Sequence, residues 1–195
     1  MLDRQMAAES DFTQVLIGLL PPDGIINTVA GGGTDASDNI PAVTAQLNAP
    51  HNLALDSAGN LYVTDTLNNR VRKIRPDGVI LTVAGTGTFG ETGDGGAATA
   101  AQLAGPTGIA VDSTGTLYIA DNGSGTVRTV TPDGVIHTIA GPDSPDPATA
   151  GFNGEGGLAT KAKFNGLVSL ALDATGRIYL ADQRNERIRV LTPGR

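Results

Sequence analysis

Residues 52–85 read "NLALDSAGNLYVTDTLNNRVRKIRPDGVILTVAG". The same pattern returns as "GIAVDSTGTLYIADNGSGTVRTVTPDGVIHTIAG" (108–141) and "SLALDATGRIYLADQRNERIRVLTPG" (169–194). Such recurrence marks a repeat architecture. Each unit divides into four short strands. The first ("LALD", "IAVD", "LALD") is apolar throughout, as expected of a strand buried on both faces. A glycine-bearing turn leads to the second ("LYVTD", "LYIAD", "IYLAD"), with Tyr62, Tyr118 and Tyr179 at one shared position. A loop of about five residues precedes the third ("RVRKI", "TVRTV", "RIRVL"), and a "PDG" turn reverses the chain into the fourth ("VILTVAG", "VIHTIAG"). Four antiparallel strands in each repeated unit predict the blade of an all-β propeller.

The pattern "P-x-G-[IL]-A-[VL]-D-x-x-G-x-[LI]-Y-[VIL]-A-D-x-x-N-x-R-[VI]-R" resembles the NHL repeat family of β-propellers. The insert "TVAGTGTFGETGDGGAATAAQLAGP" is similar to the long-loop form found in bacterial surface proteins and in teneurins. The resemblance covers about residues 22–193 and implies a fold, not an activity.

Blades are expected at about 53–84, 109–140 and 170–191 within a propeller segment over 22–195. A further fourth-strand sequence, "IINTVA" (25–30), precedes any complete blade, and "RIRVL" (187–191) has no fourth strand after it. Three blades are too few to close a ring. The expectation is a homodimer in which two chains make six blades, each supplying the other's missing strand; the rival is a piece of a longer propeller. Residues 1–21 form an N-terminal extension. Phe12, Val15, Leu16, Leu19 and Leu20 fit one helical face after Ser10 as N-cap. The rival reading of "VLIGLL" is a degenerate third strand.

Composition narrows the function. Acidic residues outnumber basic ones 20 to 13, giving a net charge of −7. This argues against nucleic acid or an anionic membrane as partner. Without cysteine there is no disulfide, thiolate metal site or cysteine nucleophile, and only His51 and His137 are present. No secretion signal or membrane span is read from the sequence. An extracellular or periplasmic location is still favoured.

Propeller topology sends the second-to-third loops and the long connectors (31–52, 86–108, 141–168) to one face, where binding residues are expected. The candidates are Asp65, Asn68, Asn69, Arg70, Glu91, Asp94, Asp121, Asn153, Glu155, Asp182, Arg184 and Asn185. Asp65, Asp121 and Asp182 end the second strands. They read either as a ring of carboxylates at a channel mouth or as acceptors for their own loops, with Arg70 and Arg187 available for pairing. "GETGDGG" carries Glu91 and Asp94, "GFNGEGG" only Glu155, and "GGTDASDNI" Asp35 and Asp38. Carboxylates that drift in this way suit a connector better than a repeated calcium or other divalent-cation site. The tyrosines are read as packing between blades, His51 as a weak ligand or base candidate, and His137 as surface.

No catalytic constellation emerges, and no cofactor is expected. The leading expectation is a non-catalytic scaffold that binds a protein, peptide or glycan through its loop-rich face. The alternatives are a metal-dependent propeller lyase or hydrolase and a structural self-assembly unit.

Overall fold

The computed structural model describes residues 25–142 and 153–192. The helix or strand expected over residues 1–20 lies outside the described residues. The fold is all-β, with three antiparallel sheets. The first has the order β1(Ile40–Pro41), β5(Val79–Ala84), β4(Arg70–Ile74), β3(Leu61–Asp65), β2(Pro50–Leu55). The second contains β6(Pro106–Val111), β7(Leu117–Asp121), β8(Thr126–Val130) and β9(Ile136–Ala140), and the third β10(Leu167–Leu172), β11(Ile178–Asp182) and β12(Arg187–Leu191). Each first strand starts about three residues earlier than the repeat suggested, because the residue before it already pairs with the terminal aspartate of the second strand, as in Pro50↔Asp65 and Pro106↔Asp121.

Local chemistry explains the turns. Asp56, Asp112 and Asp173 each accept backbone N–H bonds from residues two and four positions later. Each also accepts the hydroxyl of the tyrosine six positions later (Tyr62, Tyr118, Tyr179) at 3.1–3.3 Å. A short polar side chain that bonds its own backbone is the usual way to fix such a turn. Here it also pins the ring of the following strand.

The blades pack side by side. One core joins Tyr62, Val71 and Ala84 of the first blade to Ile109, Ile119 and Ile136 of the second. The next joins Ala120, Val127 and Ala140 of the second to Leu167, Leu170 and Leu180 of the third. Tyr62 and Tyr118 belong to these interfaces, as expected, whereas Tyr179 meets no further blade among the described residues and is 36% exposed. Burial of the first strand on both faces holds only where a blade has neighbours on both sides: Ile109 is 2% exposed, but the equivalent Leu53 is 59% exposed.

Each connector contributes one 3₁₀ turn (Ala42–Thr44, Ala98–Ala100, Ala159–Lys161). The second of these lies within the alanine-rich stretch "AATAAQL" (97–103). Ahead of it, Asn39 N and Ala42 N donate to Ile80 O and Gly78 O, and Gly95 N and Ala98 N donate to Ile136 O and Gly134 O. The first two connectors therefore lie along the fourth strands of the blades that follow them. Residues 25–30, read as a fourth strand, form no strand in the structure, and Ile25, Ile26 and Val29 are exposed.

Candidate functional site

The loop-rich face exists as expected. Second-to-third loops hydrogen-bond the connectors: Leu67 N to Asn48 O, Gly123 N to Ala104 O, and Gln183 N to Gly166 O. Asn69 closes one such loop in the left-handed conformation (φ 49°); its amide Nδ2 donates to Gly87 O while its Oδ1 accepts Gly105 N.

The three strand-ending aspartates are not a carboxylate ring open to a ligand. Asp65, Asp121 and Asp182 are fully buried. Each accepts the backbone N–H of a connector residue (Asn48, Ala104, Asn165) at 2.7–2.8 Å and a side-chain bond from its own loop (Asn68, Ser124, Asn185) at 2.9–3.0 Å. They fasten connectors to blades. Buried carboxylates need such partners, since an unpaired one would be strongly disfavoured. Burial pushes Asp121 up to about 7, against the Ala104 N–H, Ser124 and Arg128, which all favour its charged form.

The pairing arginine is also not the one expected. Arg70 donates to Thr86 O and Arg187 to Asn185 O. The arginines that approach the aspartates lie two positions further along, on the third strands: Arg72 Nη1 is 3.9 Å from Asp65, and Arg189 Nη1 is 3.4 Å from Asp182. Arg128 occupies the same place in the middle blade, and Arg72 and Arg128 are completely buried.

Their second partners sit on the connectors. Arg72 binds Asp38 at 3.2 Å, Arg128 binds Asp94, and Arg189 binds Glu155 at 3.2 Å. The connector carboxylates thus have one repeated structural role. This corrects the expectation that drift among them meant no shared pattern. Two of them also accept the backbone N–H of a fourth-strand threonine: Thr82 N to Asp38 and Thr138 N to Asp94, both at 2.8 Å. Burial raises the pKa of Asp94, but the Thr138 bonds and Arg128 outweigh it, and the carboxyl stays below its ordinary value. Glu91 is raised by burial, partly offset by Arg128.

Asn68 and Asn185 are committed to the buried aspartates. Asn153 accepts Arg189 through its carbonyl at 2.9 Å. Arg184 is exposed and lies over Gly166. His51 Nδ1 donates to Thr107 O of the next blade at 3.0 Å, and His137 is exposed. Among the described residues, no group of three His, Cys, Asp or Glu could hold a metal ion, and no helix is long and apolar enough to cross a membrane. Two side chains absent from the candidate set stand out on the face: Leu67 is 64% and Phe89 65% exposed. Phe89 lies against Gly123, where a Cβ would come 3.0 Å from its ring. The sequence signal was a large apolar residue inside an otherwise polar loop.

These repeats are NHL-type propeller blades: residues 47–74 match the NHL repeat and residues 86–146 the Teneurin NHL domain. The chain is 30% identical to Teneurin-m of Drosophila melanogaster over 89% of its own length, and it spans 7% of that protein. Among solved structures it is similar to a Bacteroides thetaiotaomicron protein of unknown function (24% identity, TM-score 0.67), covering 87% of this chain and 40% of that one. It is also similar to virginiamycin B lyase from Staphylococcus aureus (18% identity, TM-score 0.52), covering 89% of this chain and 44% of that one. These two likenesses concern the fold alone.

Proposed function

We propose that the chain is a non-catalytic scaffold that binds a protein, peptide or glycan through its loop-rich face, outside the cytoplasm. The observation that supports this reading is the pair of exposed apolar side chains, Leu67 and Phe89, on loops braced by buried Asp–Arg pairs. Large apolar groups held on a rigid polar surface are what binding hot spots are made of. Exposed Arg184 and Asn153 supply polar neighbours on the same face. The test is to probe arrays of peptides and glycans with the labelled chain and with a Leu67→Lys/Phe89→Ser variant. At least tenfold loss of the strongest signal is expected; an unchanged signal would contradict the assignment.

A second reading, self-association into a dimer, is supported by a different observation. Among the described residues the third blade has three strands where the others have four, and its outward face carries exposed Ile188 and Val190. The measurement is the native mass of the chain: a value near twice 19.7 kDa supports this reading.

A further inference from the structure

The outer edge of β12 borders a cleft of about 610 Å³, walled on one side by Ile188, Arg189 and Leu191 and on the other by Glu155, Leu158 and Ala159 of the connector. In the other two blades the corresponding space is filled by the fourth strand. We infer that this cleft is a strand-acceptor site, and that its occupant is residues 25–30 of a second copy of this chain. The inference rests on the self-association reading and is independent of the loop-face reading.

Four observations converge on that occupant. The first is register. β4 pairs with β5 as Ile74↔Ile80, Lys73↔Leu81, Arg72↔Thr82 and Val71↔Ala84, and β8 pairs with β9 as Val130↔Ile136, Thr129↔His137, Arg128↔Thr138 and Val127↔Ala140. Carried onto β12, the same register sets Leu191 opposite Ile26, Val190 opposite Asn27, Arg189 opposite Thr28 and Ile188 opposite Ala30. Every residue type the complete blades use at the isoleucine, threonine and alanine positions is present.

The second is the carboxylate clamp. Asp38 and Asp94 each hold one arginine and one fourth-strand threonine N–H. Glu155 holds Arg189 in the same way, is 66% exposed, and meets no fourth strand among the described residues. Thr28 N would arrive at this carboxylate. Gly156 and Ala159 are equivalent in sequence to Gly95 and Ala98, whose N–H groups donate to Ile136 O of β9 and Gly134 O just before it, so backbone pairing is expected from both walls of the site.

The third is apolar fit. Ile80 and Ile136 are completely buried, each against the alanines of its connector. Ile26, the equivalent residue, is 97% exposed, while Ala162, Phe164 and Leu180 with Ala159 and Leu191 form the matching floor of the third blade. Burying one such side chain contributes roughly 1.5–3 kcal/mol.

The fourth is Gly31. In the complete blades the equivalent glycines press against the loop before the third strand: a Cβ would lie 2.2 Å from Asn69 O at Gly85 and 2.6 Å from Gly125 O at Gly141. At Gly31 only the Leu47 side chain is near, at 3.3 Å. The corresponding loop residue is Glu186, at the same left-handed position (φ 55°) beside β12.

The chain's own residues 25–30 are a poor occupant, because they lead into the first blade, and the second blade separates that blade from the third. Reciprocal donation between two copies obeys two-fold symmetry and pairs both open edges at once. The test is light scattering or native mass spectrometry of the whole chain and of Ile26→Asp, whose exposed site leaves the single chain's own packing untouched. A dimer for the parent chain, with dimerisation weakened on the order of 100-fold in Ile26→Asp, is expected. A mixture of Asn27→Cys and Val190→Cys chains should also form a covalent heterodimer on oxidation. A parent dimer that Ile26→Asp leaves unchanged overturns the strand assignment but not self-association. A parent chain that stays monomeric at tens of micromolar overturns both.

Discussion

The second and third blades carry nearly the same residues in nearly the same places, yet one is sealed and the other open. Val127 on β8 is completely buried and the equivalent Ile188 on β12 is 74% exposed. Arg128 is completely buried between a connector carboxylate, the connector carbonyl of Gln102 and a buried aspartate's field, while Arg189 lines a cleft. The difference lies in what stands beside each blade and not in the blade's own sequence. A propeller repeat is a unit whose burial is completed by its neighbours.

Substitutions in the two blades can break or sharpen that contrast. The largest effect belongs to Arg128→Ala, which leaves Asp121 and Asp94 without their cation. Removing one partner of a buried pair costs about 3–5 kcal/mol. Arg189→Ala also leaves buried Asp182 without its cation but should cost less in dilute protein, because Arg189 and Glu155 are both more exposed than Arg128 and Asp94; chemical denaturation compares the two, and equal losses would erase the distinction. Next is Ile136→Ala, expected to cost about 2–5 kcal/mol for the cavity it leaves. Ile26→Ala should be nearly neutral when dilute, and should become destabilising where chains associate; thermal melts across a concentration series report this. Gly141→Ala forces a side chain into positive φ (104°) and against Gly125 O, at a cost of about 1–3 kcal/mol. Gly31→Ala should cost less in dilute protein, since only the flexible Leu47 is in the way.

A separate effect is one of pH. Asp121 has its pKa raised by burial from 3.8 to about 7, so the folded state holds this proton more tightly than the unfolded chain does. Its contribution to stability is therefore fully present below about pH 4 and is lost as pH rises through 7. Asp121→Asn should flatten the fall in stability between pH 4 and 7, read from denaturation midpoints; a slope identical to the parent's would contradict the burial argument.

Strands, turns and the packing role of Tyr62 and Tyr118 were legible because they follow local rules: alternation, Asp-Gly reversals and side-chain bonds within six residues. The arginine clamp was not, because each arginine and its connector carboxylate lie 34 residues apart, beyond the reach of local rules. A usable signal was present all the same. Asp38, Asp94 and Glu155 each precede a small-residue pair at a fixed spacing (Ala42 and Ala45, Ala98 and Ala101, Ala159 and Ala162), and aligning on those alanines instead of on the glycines superposes the carboxylates. Asp65, Asp121 and Asp182 misled for a related reason: a carboxylate at a strand end looks the same in sequence whether it faces a ligand or its own connector. Leu67 and Phe89 carry no polar signature in the sequence, and an interaction surface is anchored as often by apolar groups.

The most direct measurement is amide hydrogen exchange followed across a concentration series, reading residues 187–191 and 25–30 against β8 and β9 as internal standards. Strand exchange predicts that protection at both segments rises together with concentration, toward that of the sealed blade. Protection at β12 that stays low, or that rises without residues 25–30, would contradict it.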